Sequence, residues 1–347
     1  MKNYLRILQE IMIMEKLGNR EMMRTITLEE HYATPGFLDG PGRKLKEQVK
    51  MAEHFGYEKI IEELSDLGDK RIAEMDSAGI DVQVLSLTAP SVQQLDVIEA
   101  VELTREANDY LVEAMQLYPK RFAGFATLPT ADPNIAAEEL ERMVNEHGFK
   151  GGNINGHTRG RYLDDKFFWP ILERAEALKV PLYIHPTLPP EPVIEAYYAG
   201  FSPEVTSGLS RAAWGWHIET AIHILRLIVS GAFDQFPGLQ IVIGHMGEAL
   251  PFMMPRIDKV LSPNVTKLNH PIADYLRDNI YYTFSGFNFT TTFLNLYLQV
   301  GADRIMFSAD YPYSPMAQAR NFLDQLPVSP VDKNKIAHGN AELLLRL

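Results

Sequence analysis

The chain has 347 residues, 46% hydrophobic and 22% charged, a globular composition long enough for one large α/β barrel or two ordinary domains. A net charge of −12 excludes the basic footprint that nucleic acid or an anionic membrane needs, and no run of about 18 uncharged apolar residues calls for a membrane span. The absence of cysteine removes disulfides, thiolate ligands and a Cys nucleophile, so a metal would rest on His, Asp and Glu, a donor set suited to Zn²⁺, Mn²⁺ or a similar divalent ion.

Residues 1–23 read as an N-terminal helical extension, with Leu5, Ile7, Leu8, Ile11 and Met12 clustered and no small-residue cleavage site. A cytoplasmic protein is the resulting expectation. From residue 24 to 347 the pattern is that of one domain. Eight strand-like runs follow in order: Thr25–Leu28, Val82–Leu87, Phe122–Thr127, Gly151–Ile154, Pro181–Ile184, Gln240–Ile243, Tyr281–Phe284 and Arg304–Phe307. Several are continuous apolar runs, as parallel strands covered on both faces require. Helical patterns separate them, at Lys70–Ala78, Leu95–Leu117, Pro133–Glu146, Asp165–Leu178, Thr220–Gly231, Ala249–Val260 and Thr291–Val300. Asp132 stands at a natural N-cap, with Pro133 in the first helical position. Strand–helix alternation of this kind predicts a (β/α)8 TIM barrel. A doubly wound open sheet is the alternative, and no GxGxxG or GxxxxGK[ST] follows any strand to support it. Two long segments, Pro35–Glu63 after strand one and Pro186–His217 after strand five, are expected to build the pocket on the catalytic face.

Four runs end in residues that can ligate metal: Glu29-Glu30-His31, His185, His245 and Asp310. Any one alone is more simply a hydrogen-bonded residue at a strand end. Together they matter, because the C-terminal strand ends of a barrel converge on one face. On a regular strand Glu29 and His31 share a face, and Glu30 points the other way. Arg256 follows strand six and is either a helix-surface cation or a partner for a polar substrate group, since its planar fork suits a carboxylate. His217 closes the loop after strand five. Trp214, in the same loop, is core or pocket wall.

These residues sit in a set of motifs. They are Leu28-Glu29-Glu30-His31, Leu85-Ser86-Leu87-Thr88-Ala89-Pro90, Phe122-Ala123-Gly124-Phe125-Ala126-Thr127-Leu128-Pro129, Tyr183-Ile184-His185-Pro186, Gly244-His245-Met246-Gly247-Glu248 and Phe307-Ser308-Ala309-Asp310-Tyr311-Pro312. From about Arg24 onward the chain thereby resembles the amidohydrolase superfamily, and within it the metal-dependent aromatic-acid decarboxylases. The resemblance implies one divalent metal per chain, Zn²⁺ or Mn²⁺ before Mg²⁺, held by Glu29, His31, His185 and Asp310. It implies that His245 is catalytic or outer-sphere, oriented by Glu248, and that Arg256 pairs with a polar substrate group; the place of His217 and Trp214 in the loop after strand five makes them candidates to touch substrate as well. Binuclear relatives carry a modified lysine on strand four, where this chain reads Gly151-Gly152-Asn153-Ile154-Asn155.

The reaction implied is non-oxidative decarboxylation of an ortho-hydroxylated aromatic acid. Asp310 protonates the ring carbon, and CO2 then leaves. The alternative is metal-assisted hydrolysis of a lactone, amide or related bond, with Asp310 as general base. Two departures leave the substrate ring open: Thr187-Leu188 follows Pro186 where hydroxybenzoate decarboxylases tend to have Arg-Asn, and Pro255 precedes Arg256 where they often have Trp. The partners implied are a small aromatic acid and further copies of the chain, as a homodimer or homotetramer, with no nucleic acid and no membrane.

Overall fold

The computed structural model describes residues 23–43 and 58–347. The helical extension expected over residues 1–23 falls, Met23 excepted, outside the described residues. Eight parallel strands are present among those described: β1 (Ile26–Tyr32), β2 (Val82–Leu87), β3 in two pieces (Phe122–Gly124 and Ala126–Thr127), β4 (Gly152–Asn155), β5 (Leu182–His185), β6 (Ile241–Ile243), β7 (Ile280–Thr283) and β8 (Ile305–Met306). Each pairs with the next in parallel. The Phe125 N–H to Leu85 C=O bond carries β3 across its break. The ring closes where Leu28 N–H donates to Phe307 C=O at 3.2 Å and His31 N–H to Tyr311 C=O at 2.8 Å. The expected (β/α)8 barrel is the fold.

A helix returns the chain after each strand: α1 (Asp69–Ala78), α2 (Val97–Leu117), α3 (Pro133–His147), α4 (Trp169–Leu178), α5 (Gly215–Val229), α6 (Leu250–Val260), α7 (Thr290–Val300) and α8 (Met316–Asp324). Their ends follow local chemistry. Asp132 accepts the N–H groups of Asn134 and Ile135 at the start of α3, and Gly148 stops that helix in the left-handed conformation. A last helix, α9 (Asn340–Leu345), sends Ala341 and Leu345 into the barrel floor. No helix of the described residues is long and apolar enough to cross a membrane.

Two cores result. The lumen holds Ile26, Leu28, Val82, Val84, Ala123, Phe125, Tyr183, Val242, Tyr281 and Met306. A larger core fills the space between strands and helices. The segment after β5, expected as a loop, is largely helical. Ser202 caps Pro203–Ser210 through the Val205 N–H, with Pro203 in the first turn. The segment after β1 opens with a short helix, Pro35–Asp39, capped by Thr34.

β1 is not regular. Its pairing with β2 slips between Leu28 and Glu30, and Glu29 takes a φ of 66°. That is a β-bulge. The phase of the strand reverses there: Leu28 pairs with Val84 of the lumen, but Glu30 pairs with Leu85 of the outer core.

Candidate active site

Glu29 lies at the centre of the barrel mouth, 1% exposed. Tyr183 and Ser285 donate to its Oε2, and Thr283 Oγ1 approaches the same oxygen at 3.3 Å. Its other oxygen, Oε1, has no hydrogen-bond donor. His185 Nε2 stands 3.4 Å from Oε1, and His245 Nε2 stands 3.7 Å from it. Ligand atoms of Glu29, His31 and His185 all lie within 4.8 Å of one another, and each residue is buried. Burial pushes the Glu29 carboxyl above its usual range, against the pull of His245.

The histidine tautomers follow from their partners. His185 Nδ1 lies 2.8 Å from Pro186 C=O and so carries the proton, leaving the Nε2 lone pair directed at Glu29. Burial, with His31 and His245 nearby, holds His185 well below the usual imidazole range, in the neutral form a metal ligand needs. His31 presents Nε2 to Asp310 Oδ1 at 3.2 Å. Asp310 ends the segment after β8 with a φ of 65° and keeps 18% of its side chain exposed. It touches His31 but lies outside the 4.8 Å group.

A second group adjoins the first. Glu248 binds His245 Nδ1 at 2.8 Å through one oxygen and His217 Nδ1 at 2.6 Å through the other. His217 Nε2 reaches Ala212 C=O at 2.9 Å. Burial opposes charge on His245, but Glu248 and then Glu29 outweigh it and raise it to about 10. Burial would also raise Glu248, and the two imidazoles instead hold it below its usual range. Every residue from His245 to Ala249 has a positive φ. For non-glycine residues that costs about 1–2 kcal/mol each, a strain of the kind that collects at functional sites. Phe287 forms one wall, its ring centroid 5.0 Å from that of His217 and 5.4 Å from that of His245.

The structure thus brings together Glu29, His31, His185, Asp310, His245, Glu248 and His217. Arg256 is on the exposed face of α6, and Trp214 is 51% exposed at the start of α5. Neither has a hydrogen bond, ion pair or ring contact with these residues among the described ones. The hydroxyls of Tyr183, Thr283 and Ser285 were not anticipated. Inward parity from His185 and the Thr-x-Ser spacing at the end of β7 were the available signals. Also unanticipated are Asn153 and Asn155, which pair in register with Tyr183 and His185 and bury side-chain amides without a partner.

A barrel with carboxylates and imidazoles gathered at its mouth is the layout of a metal-dependent barrel enzyme. The family model described as amidohydrolase matches residues 56–347, and the chain belongs to that family. It is 39% identical over 333 residues to a gamma-resorcylate decarboxylase of Polaromonas sp., covering 93% of this chain and 98% of the relative. A 5-carboxyvanillate decarboxylase from Novosphingobium aromaticivorans, solved with manganese and 3-methoxy-4-hydroxy-5-nitrobenzoic acid, is 38% identical with a TM-score of 0.85, covering 94% of this chain and 98% of that one. A dihydroxybenzoic acid decarboxylase from Polaromonas sp., solved with manganese and the inhibitor 2-nitroresorcinol, is 38% identical with a TM-score of 0.84 over the same shares. At this closeness and coverage the chain is a carboxy-lyase of the amidohydrolase superfamily.

Proposed function

We propose that the chain removes CO2, without oxidation, from an ortho-hydroxylated aromatic carboxylic acid, using one divalent metal held by Glu29, His31, His185 and Asp310. The observation that carries this reading is Glu29 Oε1, a buried carboxylate oxygen with no donor, facing two imidazole nitrogens. A buried oxygen left unpaired is costly, and a cation bound there removes the cost. The donor set of imidazoles and carboxylates suits Mn²⁺ or Zn²⁺, and manganese is the metal in the two solved structures described above. Such an ion, held by these residues, would offset the charge of the substrate carboxylate and, with the adjacent hydroxyl, orient it.

The remaining chemistry falls to side chains. Asp310, open to the mouth, gives its proton to the ring carbon bearing the carboxylate. The carbon–carbon bond then breaks, its electron pair restores the ring, and CO2 departs. His245, fixed by Glu248, places Nε2 against the same centre and sets the charge around it. Phe287 offers an apolar edge for an aromatic ring. The test is CO2 release by manganese-loaded protein from a panel of ortho-hydroxybenzoates that includes 2,6-dihydroxybenzoate, run beside a panel of lactones. CO2 from at least one acid is expected. Lactone hydrolysis with no CO2 from any acid would overturn the reading.

A further inference from the structure

Behind the site, on the helical side of β1, lies a buried polar layer that the proposed chemistry leaves unused. Glu30 is fully buried. Its Oε1 accepts the Ala309 N–H at 2.8 Å, and its Oε2 accepts the Tyr311 N–H at 3.2 Å and the Gln83 side-chain amide at 3.3 Å. These two N–H groups belong to the residues on either side of Asp310. Gln83 in turn accepts Arg71 Nε at 2.8 Å. Arg71, also fully buried, donates through Nη2 to His31 C=O at 2.8 Å and lies 4.7 Å from the Tyr311 ring centroid. One carboxylate and one guanidinium therefore grip the backbone of Asp310 and of His31 from outside the barrel.

A barrel does not need this layer in order to fold. Buried charges are costly to desolvate, and a well-packed apolar pair in their place is often no less stable. What the layer does supply is geometry. Asp310 sits at a φ of 65°, in the left-handed region. The bonds from Glu30 tie down the N–H groups of residues 309 and 311, on both sides of it. We propose that Glu30 is the positioning residue for Asp310, acting through those two peptide groups and held in place by Gln83 and Arg71. The proposal rests on the reading of Asp310 as proton donor.

Glu30→Gln tests it. The amide turns a donor toward one of the two peptide N–H groups, so one side of Asp310 comes loose while the size of the side chain is kept. For manganese-saturated protein acting on 2,6-dihydroxybenzoate, kcat is expected to fall roughly 10–100-fold with KM within about twofold of wild type, and manganese affinity by titration to weaken. A role in stability alone would lower the amount of active protein and leave kcat per bound manganese unchanged. Should Glu30→Gln fail to fold, Gln83→Leu, which removes the amide donor to Oε2 and the acceptor of Arg71 Nε while leaving both backbone N–H bonds to Glu30, decides by the same readout. A lowered kcat supports the proposal. Wild-type kcat and manganese affinity, in a protein that Asp310→Asn inactivates, overturn it. Turnover retained by Asp310→Asn overturns the underlying reading, whatever Glu30→Gln does.

Discussion

Gly244 sits just beyond β6, and its missing side chain is the space Glu29 occupies. A Cβ placed there would stand 2.3 Å from Glu29 Oε2, 2.8 Å from Ser285 Oγ and 3.0 Å from Glu29 Cδ. Ordinary contact needs about 3.5 Å, so in Gly244→Ala the carboxylate must retreat by about 1 Å. It cannot do so freely, because Tyr183, Thr283 and Ser285 all meet Oε2. A ligating group has to stay within roughly 0.5 Å of its working position. The expected result is manganese affinity weakened about 10–100-fold, with overpacking costing about 1–3 kcal/mol of stability. Calorimetric titration of manganese into metal-stripped protein measures the first, and thermal unfolding the second. Gly148→Ala is the control. It adds a methyl at a φ of 72° with nothing within 4 Å, so it should lower stability and leave manganese affinity alone. A folded Gly244→Ala protein binding manganese as wild type does would refute the placement of Glu29 at the metal.

Three further outcomes are expected. Chelation should abolish turnover, manganese should restore it, and saturation at about 100 times the Kd should add about 2.7 kcal/mol of stability, read as a rise in Tm. Tyr183→Phe removes a buried donor to Glu29; it should weaken manganese binding while the barrel stays folded by circular dichroism. His223 is held down to about 3 by burial first, then by His157 and Arg226. Its unfolded form titrates near 6.5, so below that pH the unfolded chain binds the extra proton and stability falls on acidification, by about 1.4 kcal/mol per pH unit from this residue. His223→Gln should flatten the decline of stability between pH 6.5 and 4, and an unchanged slope would contradict the assignment.

Much of this was legible in the sequence because apolar runs mark strands and each run stops at a polar residue. Val180–Ile184 and Leu239–Ile243 could hardly be anything but buried strands, and His185 and His245 follow directly. The expectation of a metal on His and carboxylate donors came from the absence of cysteine, and that of a single metal from the resemblance, whose binuclear members carry a lysine on strand four that this chain lacks. Contacts between distant segments were harder to see. Nothing near Glu30 in sequence announces that it binds peptides at 309 and 311, and Arg71 looks like any helix cation until α1 is packed against β1 and β2. The partition of roles among residues after β5 was also hidden. His217 turns inward to Glu248, while Trp214 three residues earlier faces solvent.

The bulge at Glu29 could have been inferred from parity alone. Ile26 and Leu28 point into the lumen, and strict alternation would send Glu30 there and turn Glu29 and His31 out toward the helices. A floor built on even-numbered residues and a site built on odd-numbered ones cannot share a regular strand. One extra residue must fall between them, and Glu29 at φ 66° is that residue. The same logic extends around the mouth, where His245, Ser285 and Asp310 also take positive φ just past their strands. Each leaves the regular path at the level where the apolar lumen gives way to polar chemistry. At a left-handed cost of about 1–2 kcal/mol per residue, such departures persist only where something fixes them. Beside Asp310 stand the two hydrogen bonds that the Ala309 and Tyr311 N–H groups donate to Glu30, and on Glu29 the three hydroxyls at its inner oxygen. The strain and the second layer of polar partners are therefore two sides of one construction: the barrel supplies the direction in which each strand ends, and the buried polar contacts decide which atom points at the substrate.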